Sequence, residues 1–284
     1  MAKILVVANN KGGVGKTTTT NITAAYIGGI CGKRVLLVDN DHQCNLTASV
    51  LDVEYGDHYL PIHPETGDRH DLSDIFLERP LAPYPTNLKN VSIIPNKPTN
   101  IALDQAGEDD IQKFVDFFDQ EILHEMFDVI IIDTPPAKGA MTTAALRSGS
   151  HCIIPVVMEK KPVEGLFGML QKIDEERNNQ DHDRMIDLIG ILPTKFDARM
   201  RLHKQYLTQL NDAETMAPIS KLMIPSLLRQ GDGVCSFVVK ERAAIKEMEL
   251  VGANPTTPFA MPKSSDVSKE WRALGKFIVD RMAL

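Results

Sequence analysis

The 284-residue sequence has few cysteines and no long apolar run. Its four cysteines are widely separated and form no C-x-x-C pair, which argues against a disulfide framework or a zinc site and favours reduced thiols in the core or on helices. No apolar stretch approaches the roughly 20 residues needed to cross a bilayer. Because a strand candidate already begins at residue 4, we expect no signal peptide and a cytoplasmic protein. The cysteines are Cys31, Cys44, Cys152 and Cys235.

An excess of positive charge is also missing. The chain has 31 Lys and Arg against 38 Asp and Glu, for a formal net charge of −7. This balance argues against a protein that is basic over its whole surface, but it allows a local basic surface. Because 43% of the residues are hydrophobic, the chain can bury a sizeable core.

A glycine-rich loop, N-K-G-G-V-G-K-T-T at residues 10–18, lies between an apolar run (4–8) and a predicted helix (17 to about 31). A strand, a glycine loop and a helix in this order are the context of a phosphate-binding loop, in which backbone N–H groups converge on phosphate oxygens. Lys16 would reach the terminal phosphates and the hydroxyl of Thr17 would bind Mg²⁺. The predicted nucleotide-binding residues of the loop are Lys11, Gly12, Gly13, Val14, Gly15, Lys16, Thr17 and Thr18.

Carboxylates follow two apolar segments that we predict to be buried strands, residues 35–38 and 129–132. Asp39 and Asp41 come after the first strand and Asp133 after the second. The carboxyl ends of parallel strands form the ligand-binding edge of α/β sheets, so these groups are expected near Lys16 and Thr17. Asp133 is a Walker B candidate, which would hold Mg²⁺ through water. The alternative for the paired aspartates is capping of the following helix.

The glycine loop departs from the common pattern, because Asn10 stands where the first glycine is usual and Lys11 follows it. In this respect it resembles the deviant Walker A loop of the ParA/MinD group of ATPases. Residues 39–45 are similar to the second motif of that group, with His42 in place of a proline, and D-T-P-P at 133–136 is similar to its third. The resemblance is closest to ParA-type partition ATPases.

This resemblance implies a role for each residue that matches a motif. Lys11 would reach across a dimer interface to the nucleotide of the other subunit. Asp41 would orient the attacking water, and Asp39 would support the water shell of the metal. The catalytic residues would then be Lys11, Lys16 and Asp41, and the metal-site residues Thr17, Asp39 and Asp133.

Further apolar segments at residues 152–157 and 188–194 alternate with helical patterns. The alternation predicts one α/β domain over residues 1–284, with a mainly parallel, helix-flanked sheet. The resemblance implies the ParA/MinD variant of the P-loop fold, and it implies that Thr194 and Pro225 lie near the base. Ordinary packing at a strand end is the alternative for these two residues.

Two regions fall outside these motifs. Residues 52–90 are polar and rich in turn residues, which predicts a loop insertion. The spacing of its His58, His63 and His70 matches no zinc pattern, so we predict a solvated loop. Residues 265–284 predict a C-terminal helix with Trp271 on its apolar side, which would pack on the domain; a membrane-surface helix is the alternative.

Basic residues cluster after residue 194 and could contact DNA phosphates without sequence preference. The alternative is a solvated helix surface. No helix-turn-helix is expected ahead of the glycine loop, so site-specific DNA binding is not expected. The candidate DNA-binding residues are Lys195, Arg199, Arg201, Lys204, Lys240 and Arg242.

Taken together, the motifs and the resemblance imply a Mg²⁺-dependent ATPase that dimerises around ATP. The ATP-bound dimer would bind non-specific duplex DNA on the nucleoid and drive partition of a plasmid or chromosome, or position another cargo. A ParB-like or adaptor protein would stimulate hydrolysis. The alternatives are a membrane-cycling ATPase of the MinD type, for which membrane binding is not favoured, and a metal-cluster carrier or ligase on the same fold.

Overall fold

The computed structural model describes residues 1–51, 53, 60–179, 185–228, 236–248 and 257–284. These residues contain a seven-stranded sheet in the order β3-β4-β2-β5-β1-β6-β7. All neighbouring strands are parallel except the edge pair β3 and β4. The predicted α/β fold with a mainly parallel sheet is therefore confirmed. The strands are β1 Lys3–Val7, β2 Val35–Asp39, β3 Tyr84–Pro85, β4 Val91–Ile94, β5 Val129–Asp133, β6 His151–Val157 and β7 Asp187–Thr194.

Helices cover both faces of the sheet, which is why β2 and β5 are buried at every position and read as continuous apolar runs. One face packs mainly against α1, α2 and α11, and the other mainly against α3 to α9. A 3₁₀ helix covers Pro98–Gln105. The α-helices are α1 Lys16–Gly29, α2 Asn45–Val50, α3 Ser73–Phe76, α4 Glu108–Phe118, α5 Glu121–Met126, α6 Ala140–Ser148, α7 Lys160–Asn179, α8 Arg201–Leu210, α9 Ala217–Ser220, α10 Ala243–Met248 and α11 Asp266–Met282.

The region predicted as a solvated loop insertion is more ordered than expected. Its described part includes α3 and β3, and the prediction for the histidines was wrong, because His63 and His70 are buried. The ring of His63 packs edge-on against Tyr84, 4.9 Å between centroids, and the backbone N–H of His70 donates to the hydroxyl of Tyr84 at 2.9 Å. These two histidines therefore pack in the interior. His58 lies outside the described residues.

The C-terminal helix α11 packs on the domain as predicted. Trp271, Leu274 and Ile278 are buried in the core on the α1 side of the sheet. Gly275 allows a close approach to α1, since a methyl group built on it would lie 2.4 Å from the ring of Tyr26. None of the described helices is long and apolar enough to span a membrane.

Three of the cysteines lie in the described residues, and all three are free thiols. Cys31 is exposed after α1, Cys44 is partly buried and Cys152 is buried in β6. Burial raises the pKa of the Cys152 thiol to about 12, so this thiol stays protonated at neutral pH. Cys235 lies outside the described residues.

Candidate active site

The glycine loop connects β1 to α1 at the carboxyl edge of the sheet. Gly13 and Gly15 have φ of 73° and 83°, a left-handed conformation that side chains other than glycine rarely adopt. Gly15 stands directly before α1, so the free N–H groups of the first helical turn lie at the loop. A cavity of about 500 Å³ opens above the loop and α1, and its wall includes Gly12 and Thr17. The loop thus has the backbone geometry of a phosphate site.

Lys16 is buried at the base of this cavity, and its Nζ donates a 3.0 Å hydrogen bond to the backbone carbonyl of Lys11. Burial lowers the pKa of Lys16, and the nearby charges of Asp133 and Asp41 act in the opposite direction. The ammonium is held inside the loop, where phosphate oxygens would lie.

Thr17 and Asp133, both predicted as metal-site residues, are joined by a direct hydrogen bond. The Thr17 hydroxyl donates to Asp133 Oδ2 at 2.6 Å, and the hydroxyl of Thr20 donates to Oδ1 at 3.3 Å. Asp133 is paired in register with Asp39 on the neighbouring strand. Both carboxyl groups are fully buried at the carboxyl edge of the sheet.

These two carboxylates are destabilised in their charged forms. Burial raises the pKa of Asp39 to about 6. Burial, together with the charge of Asp39, raises the pKa of Asp133 to about 7. Mg²⁺ prefers carboxylate, hydroxyl and water oxygens, and a bound Mg²⁺ would stabilise the charged forms of Asp39 and Asp133. The residues present therefore fit this cation. Within the described ranges, no group of three or more His, Cys, Asp or Glu is arranged to hold a metal ion.

Thr47 is a site residue that the sequence reasoning missed. Its backbone N–H and its hydroxyl both donate to Asp39 Oδ2, at 2.8 and 2.7 Å. Because Thr47 lies in the first turn of α2, Asp39 also accepts one of the free N–H groups at the start of that helix, although Cys44 and not an aspartate is its N-cap residue. A threonine eight residues after the strand carries no motif that would have revealed this contact.

Asp41 lines the cavity, and its Oδ1 accepts the backbone N–H of Gln43 at 3.0 Å. The neighbouring His42 turns away toward the 3₁₀ helix, where its Nδ1 lies 3.1 Å from Asp104 Oδ2. Asp41 therefore supplies a carboxylate to the wall of the cavity.

A second cavity of about 250 Å³ adjoins the first and shares Gly15 and Thr18 with it. Its wall includes the apolar side chains of Val239, Ile245 and Trp271. Charged side chains also line it, so the wall combines apolar and charged groups next to the phosphate cavity; they are Lys195, Lys240, Glu241, Arg242 and Lys246.

Of the two residues predicted near the base, one lies beside the glycine loop and the other does not. Thr194 lines the second cavity, and its hydroxyl donates a 2.7 Å hydrogen bond to the carbonyl of Val14 in the glycine loop. Pro225 is exposed, follows a segment that pairs with β7, and lines neither cavity. The structure therefore brings only Thr194 next to the loop.

The six candidate DNA-binding residues do not form one surface. Lys195 lines both cavities. Lys240 and Arg242 line the second cavity and lie 3.8 and 2.8 Å from the buried carboxylate of Glu270.

The other three lie on the outside of the domain. Arg199 is paired with Asp197 at 2.7 Å. Arg201 and Lys204 are exposed in the first turns of α8. The exposed basic group is thus Arg199, Arg201 and Lys204.

Comparison with known proteins points to one group. A family model described as "AAA domain" matches residues 2–185. The sporulation initiation inhibitor protein Soj of Bacillus subtilis is 34% identical over 221 residues, covering 74% of this chain and 79% of that protein. The chromosome-partitioning ATPase Soj of Thermus thermophilus is 32% identical over 208 residues, covering 72% of this chain and 74% of that protein.

Solved structures give the same fold. A plasmid partition protein from Borrelia burgdorferi bound to AMPPNP superposes with a TM-score of 0.70 and 20% identity, covering 99% of this chain and 100% of that one. Cobyrinic acid a,c-diamide synthase from Mycobacterium smegmatis, with bound ADP and magnesium, gives a TM-score of 0.64 at 26% identity, covering 80% of this chain and 85% of that one.

Proposed function

The chain belongs to the ParA/MinD-type P-loop ATPases, and we propose that it forms an ATP-bound dimer. This dimer binds duplex DNA without sequence preference and hydrolyses ATP. ATP and Mg²⁺ are the ligands that fit this family. The partition proteins among its relatives support a ParA-like ATPase role in partitioning. Dimerisation, DNA binding and ATP hydrolysis by this chain are our proposals, as is its action on the nucleoid in the cytoplasm.

The proposal is carried by one arrangement: Lys16, Thr17 and Asp41 line one cavity, and Asp133 accepts a hydrogen bond from the hydroxyl of Thr17. Lys16 and the loop N–H groups bind the β- and γ-phosphates. Asp41, which also lines the cavity, holds the attacking water by accepting its hydrogen bond. When bound, Mg²⁺ neutralises charge on the phosphate oxygens, and Thr17 and Asp133 are the residues that would hold it. Catalysis is then mainly positioning and charge neutralisation.

The position of Lys11 supports the dimer. Gly12 and Gly13 line the phosphate cavity, but Lys11 does not, and its side chain lies against α7 instead. A lysine at the edge of the loop that leaves its own cavity free is available to the nucleotide of a second copy. ATP would then hold the two copies together.

The second cavity is the proposed place of the base. Gly15 and Thr18 line both this cavity and the phosphate cavity, Thr194 lines this one, and Trp271 supplies an aromatic wall. Lys195, which lines both cavities, is accordingly proposed as a nucleotide contact in addition to the DNA role expected from sequence.

DNA binding is proposed for the exposed group Arg199, Arg201 and Lys204. The test is binding of the purified protein to arbitrary duplex DNA with ATP, with ADP and without nucleotide, across a salt series. Binding only with ATP, with affinity that falls steeply with salt, is expected. Exchanging Arg201 and Lys204 for Ala should lower the slope of log K against log salt by about 2 for each copy that contacts DNA.

The matched control is Lys89→Ala, which removes one exposed charge near the start of β4, at the opposite edge of the sheet. It should leave binding unchanged. Absence of DNA binding in every nucleotide state would overturn the DNA part of the proposal and leave the ATPase part standing.

One other function is favoured by a specific observation. Cobyrinic acid a,c-diamide synthase, with bound ADP and magnesium, is 26% identical and has a similar fold, which supports a ligase as the second candidate. A ligase would hydrolyse ATP only with an organic acid and an amine donor, so DNA-stimulated hydrolysis without such substrates separates the two. The membrane-cycling alternative is disfavoured because Trp271 and the apolar side of α11 are buried in the domain.

A further inference from the structure

Helix α7 presents two glycines, Gly165 and Gly168, one turn apart on the side that faces the glycine loop. A methyl group built on Gly165 would lie 2.5 Å from both Asn10 Oδ1 and Lys11 Cγ. A methyl group built on Gly168 would lie 2.7 Å from Lys138 Nζ and 2.9 Å from Asn10 Nδ2. Three side chains therefore occupy the space that the two glycines leave open.

Lys138 reaches this face of α7 from a different part of the chain than Lys11. It stands in the loop after β5, two residues beyond Pro136. Pro136 lines the phosphate cavity, and its Cβ is 3.9 Å from a methyl group built on Gly12. The loops after β1 and β5 thus bring two lysines to one helix face beside the phosphate cavity.

The charges of the two lysines are not neutralised in this position. Neither Lys11 nor Lys138 lies within 4.0 Å of a carboxylate among the residues that the structure describes. Glu164 neighbours Gly165 on α7 and is exposed, yet it pairs with neither ammonium. Asn10 lies between the two lysines, and its Oδ1 is buried without a hydrogen-bond partner in the described part of the chain.

We propose that Lys138 is a second cation of the reaction, which acts beside Lys11 on the phosphates of ATP bound to a second copy of this chain. The inference rests on the proposed ATP-bound dimer. Gly165 is a positioning residue, because a side chain there would meet Asn10 Oδ1 and Lys11 Cγ, and Gly168 leaves room for the end of the Lys138 side chain. Two cations on one terminal phosphate stabilise the charge that develops on its oxygens.

Mixed dimers test this directly with the full chain. Asp41→Ala lacks the water-positioning carboxylate but keeps Lys138, and Lys138→Met keeps Asp41 and the aliphatic stem but lacks the charge. If Lys138 acts across the interface, random pairing gives about half mixed dimers, each with one complete site. An equimolar mixture should then hydrolyse ATP at about a quarter of the wild-type rate, while each variant alone is at least about tenfold slower than wild type.

The charge rather than the packing of Lys138 is tested by two further variants. Lys138→Arg should retain most of the activity, and Lys89→Met, which removes an exposed lysine at the opposite edge of the sheet, should retain all of it. Affinity for ADP should be unchanged in Lys138→Met, since ADP binding needs only one copy.

Failure of the inference and failure of the dimer give different results. ATP-dependent dimerisation of wild type and of Lys138→Met, measured by light scattering, reports on the dimer alone. If both proteins dimerise with ATP and the mixture of Asp41→Ala with Lys138→Met does not recover activity, Lys138 has no role across the interface and the inference is overturned. If wild type does not dimerise with ATP, the proposed function itself is wrong.

Discussion

Asp39 and Asp133 stand directly opposite each other on the neighbouring strands β2 and β5, and both carboxyl groups are buried. Two buried carboxylates in adjacent register repel each other, and burial penalises the charge of each. Without a bound cation, this pair lowers the free energy of unfolding of the protein. The site thus favours binding of a cation over stability of the ligand-free protein.

The first prediction is a pH dependence in EDTA without nucleotide. The folded pKa values of about 6 and 7 lie above the ordinary 3.8, so between about pH 4 and 7 the folded protein binds more protons than the unfolded chain. The contribution of these groups to stability is fully present below about pH 4 and is lost as the pH rises through 6 and 7. The free energy of unfolding at each pH is measured by urea unfolding, monitored through the fluorescence of Trp271, the single tryptophan.

Asp133→Asn is the comparison that isolates this effect. Burial lowers the pKa of His124 and His151, so the contribution of these histidines to the free energy of unfolding rises with pH in the same range. Both histidines are retained in the variant, so only the carboxylate contribution changes. At pH 8 in EDTA the variant should be more stable than wild type by about 1 kcal/mol or more, and MgATP should stabilise only wild type. Equal pH slopes for the two proteins would contradict the prediction.

The second prediction concerns the hydroxyl of Thr194, which donates to the carbonyl of Val14. Thr194→Val keeps the shape and leaves that buried carbonyl without its donor, at a cost of about 1–3 kcal/mol. Because the carbonyl belongs to the glycine loop, ATP affinity should also fall by about tenfold, in line with 1.4 kcal/mol for each factor of ten. Thermal unfolding and binding of a fluorescent ATP analogue measure the two effects.

Thr194→Ser is the control, because it retains the hydroxyl and loses only a methyl group. It should preserve most of the ATP affinity. Equal losses in the two variants would mean that the methyl contact with the loop, rather than the hydrogen bond, is what matters.

The third prediction separates the two lysines of the loop. Lys16 is buried at the base of the cavity, whereas the side chain of Lys11 lies outside it. Lys16→Ala should lose nucleotide binding, since it removes a charged contact to phosphate. Lys11→Ala should keep binding of ATP and lose ATP-dependent dimerisation, measured by light scattering. A dimer of Lys11→Ala with unchanged ATP dependence would rule out the role of Lys11 across the interface.

The parts of the site that could be predicted are those set by local sequence. The glycine loop, Lys16 and Thr17 follow from a strand, a turn and a helix in a row, and Asp133 follows from the end of a buried strand. These residues lie close together because the parallel strands that precede them end at the same edge of the sheet. The resemblance to a known group added the motif after β2.

The contacts that could not be predicted join residues that are distant along the chain. Thr194 is 180 residues from Val14, and nothing in either segment indicates the other. The chain between β4 and β5 forms two α-helices, α4 and α5, because Gln120 takes an extended conformation between them, and no proline or glycine marks that break in the sequence. The glycines of α7 look like ordinary helix residues until the loops that approach them are known.

The last prediction concerns stability away from the site and uses two adjacent glycines near the end of α1. A methyl group on Gly28 would lie 2.5 Å from the carbonyl oxygen of Lys89 and 2.8 Å from Val91 Cγ2, whereas one on Gly29 meets nothing within 4 Å. Gly28→Ala should therefore destabilise by about 1–3 kcal/mol, since backbone cannot move aside as a flexible side chain does.

Gly29→Ala should be neutral or stabilise by up to about 1 kcal/mol, because alanine favours a helix over glycine. Gly28 is twelve residues from Lys16, about 18 Å along the helix axis at 1.5 Å per residue. The clash therefore acts far from the phosphate cavity, and the folded fraction of Gly28→Ala should bind ATP with wild-type affinity. Urea unfolding of both variants and ATP titration below the unfolding transition measure this; a loss of affinity in Gly28→Ala would mean that α1 transmits strain from its end to the glycine loop.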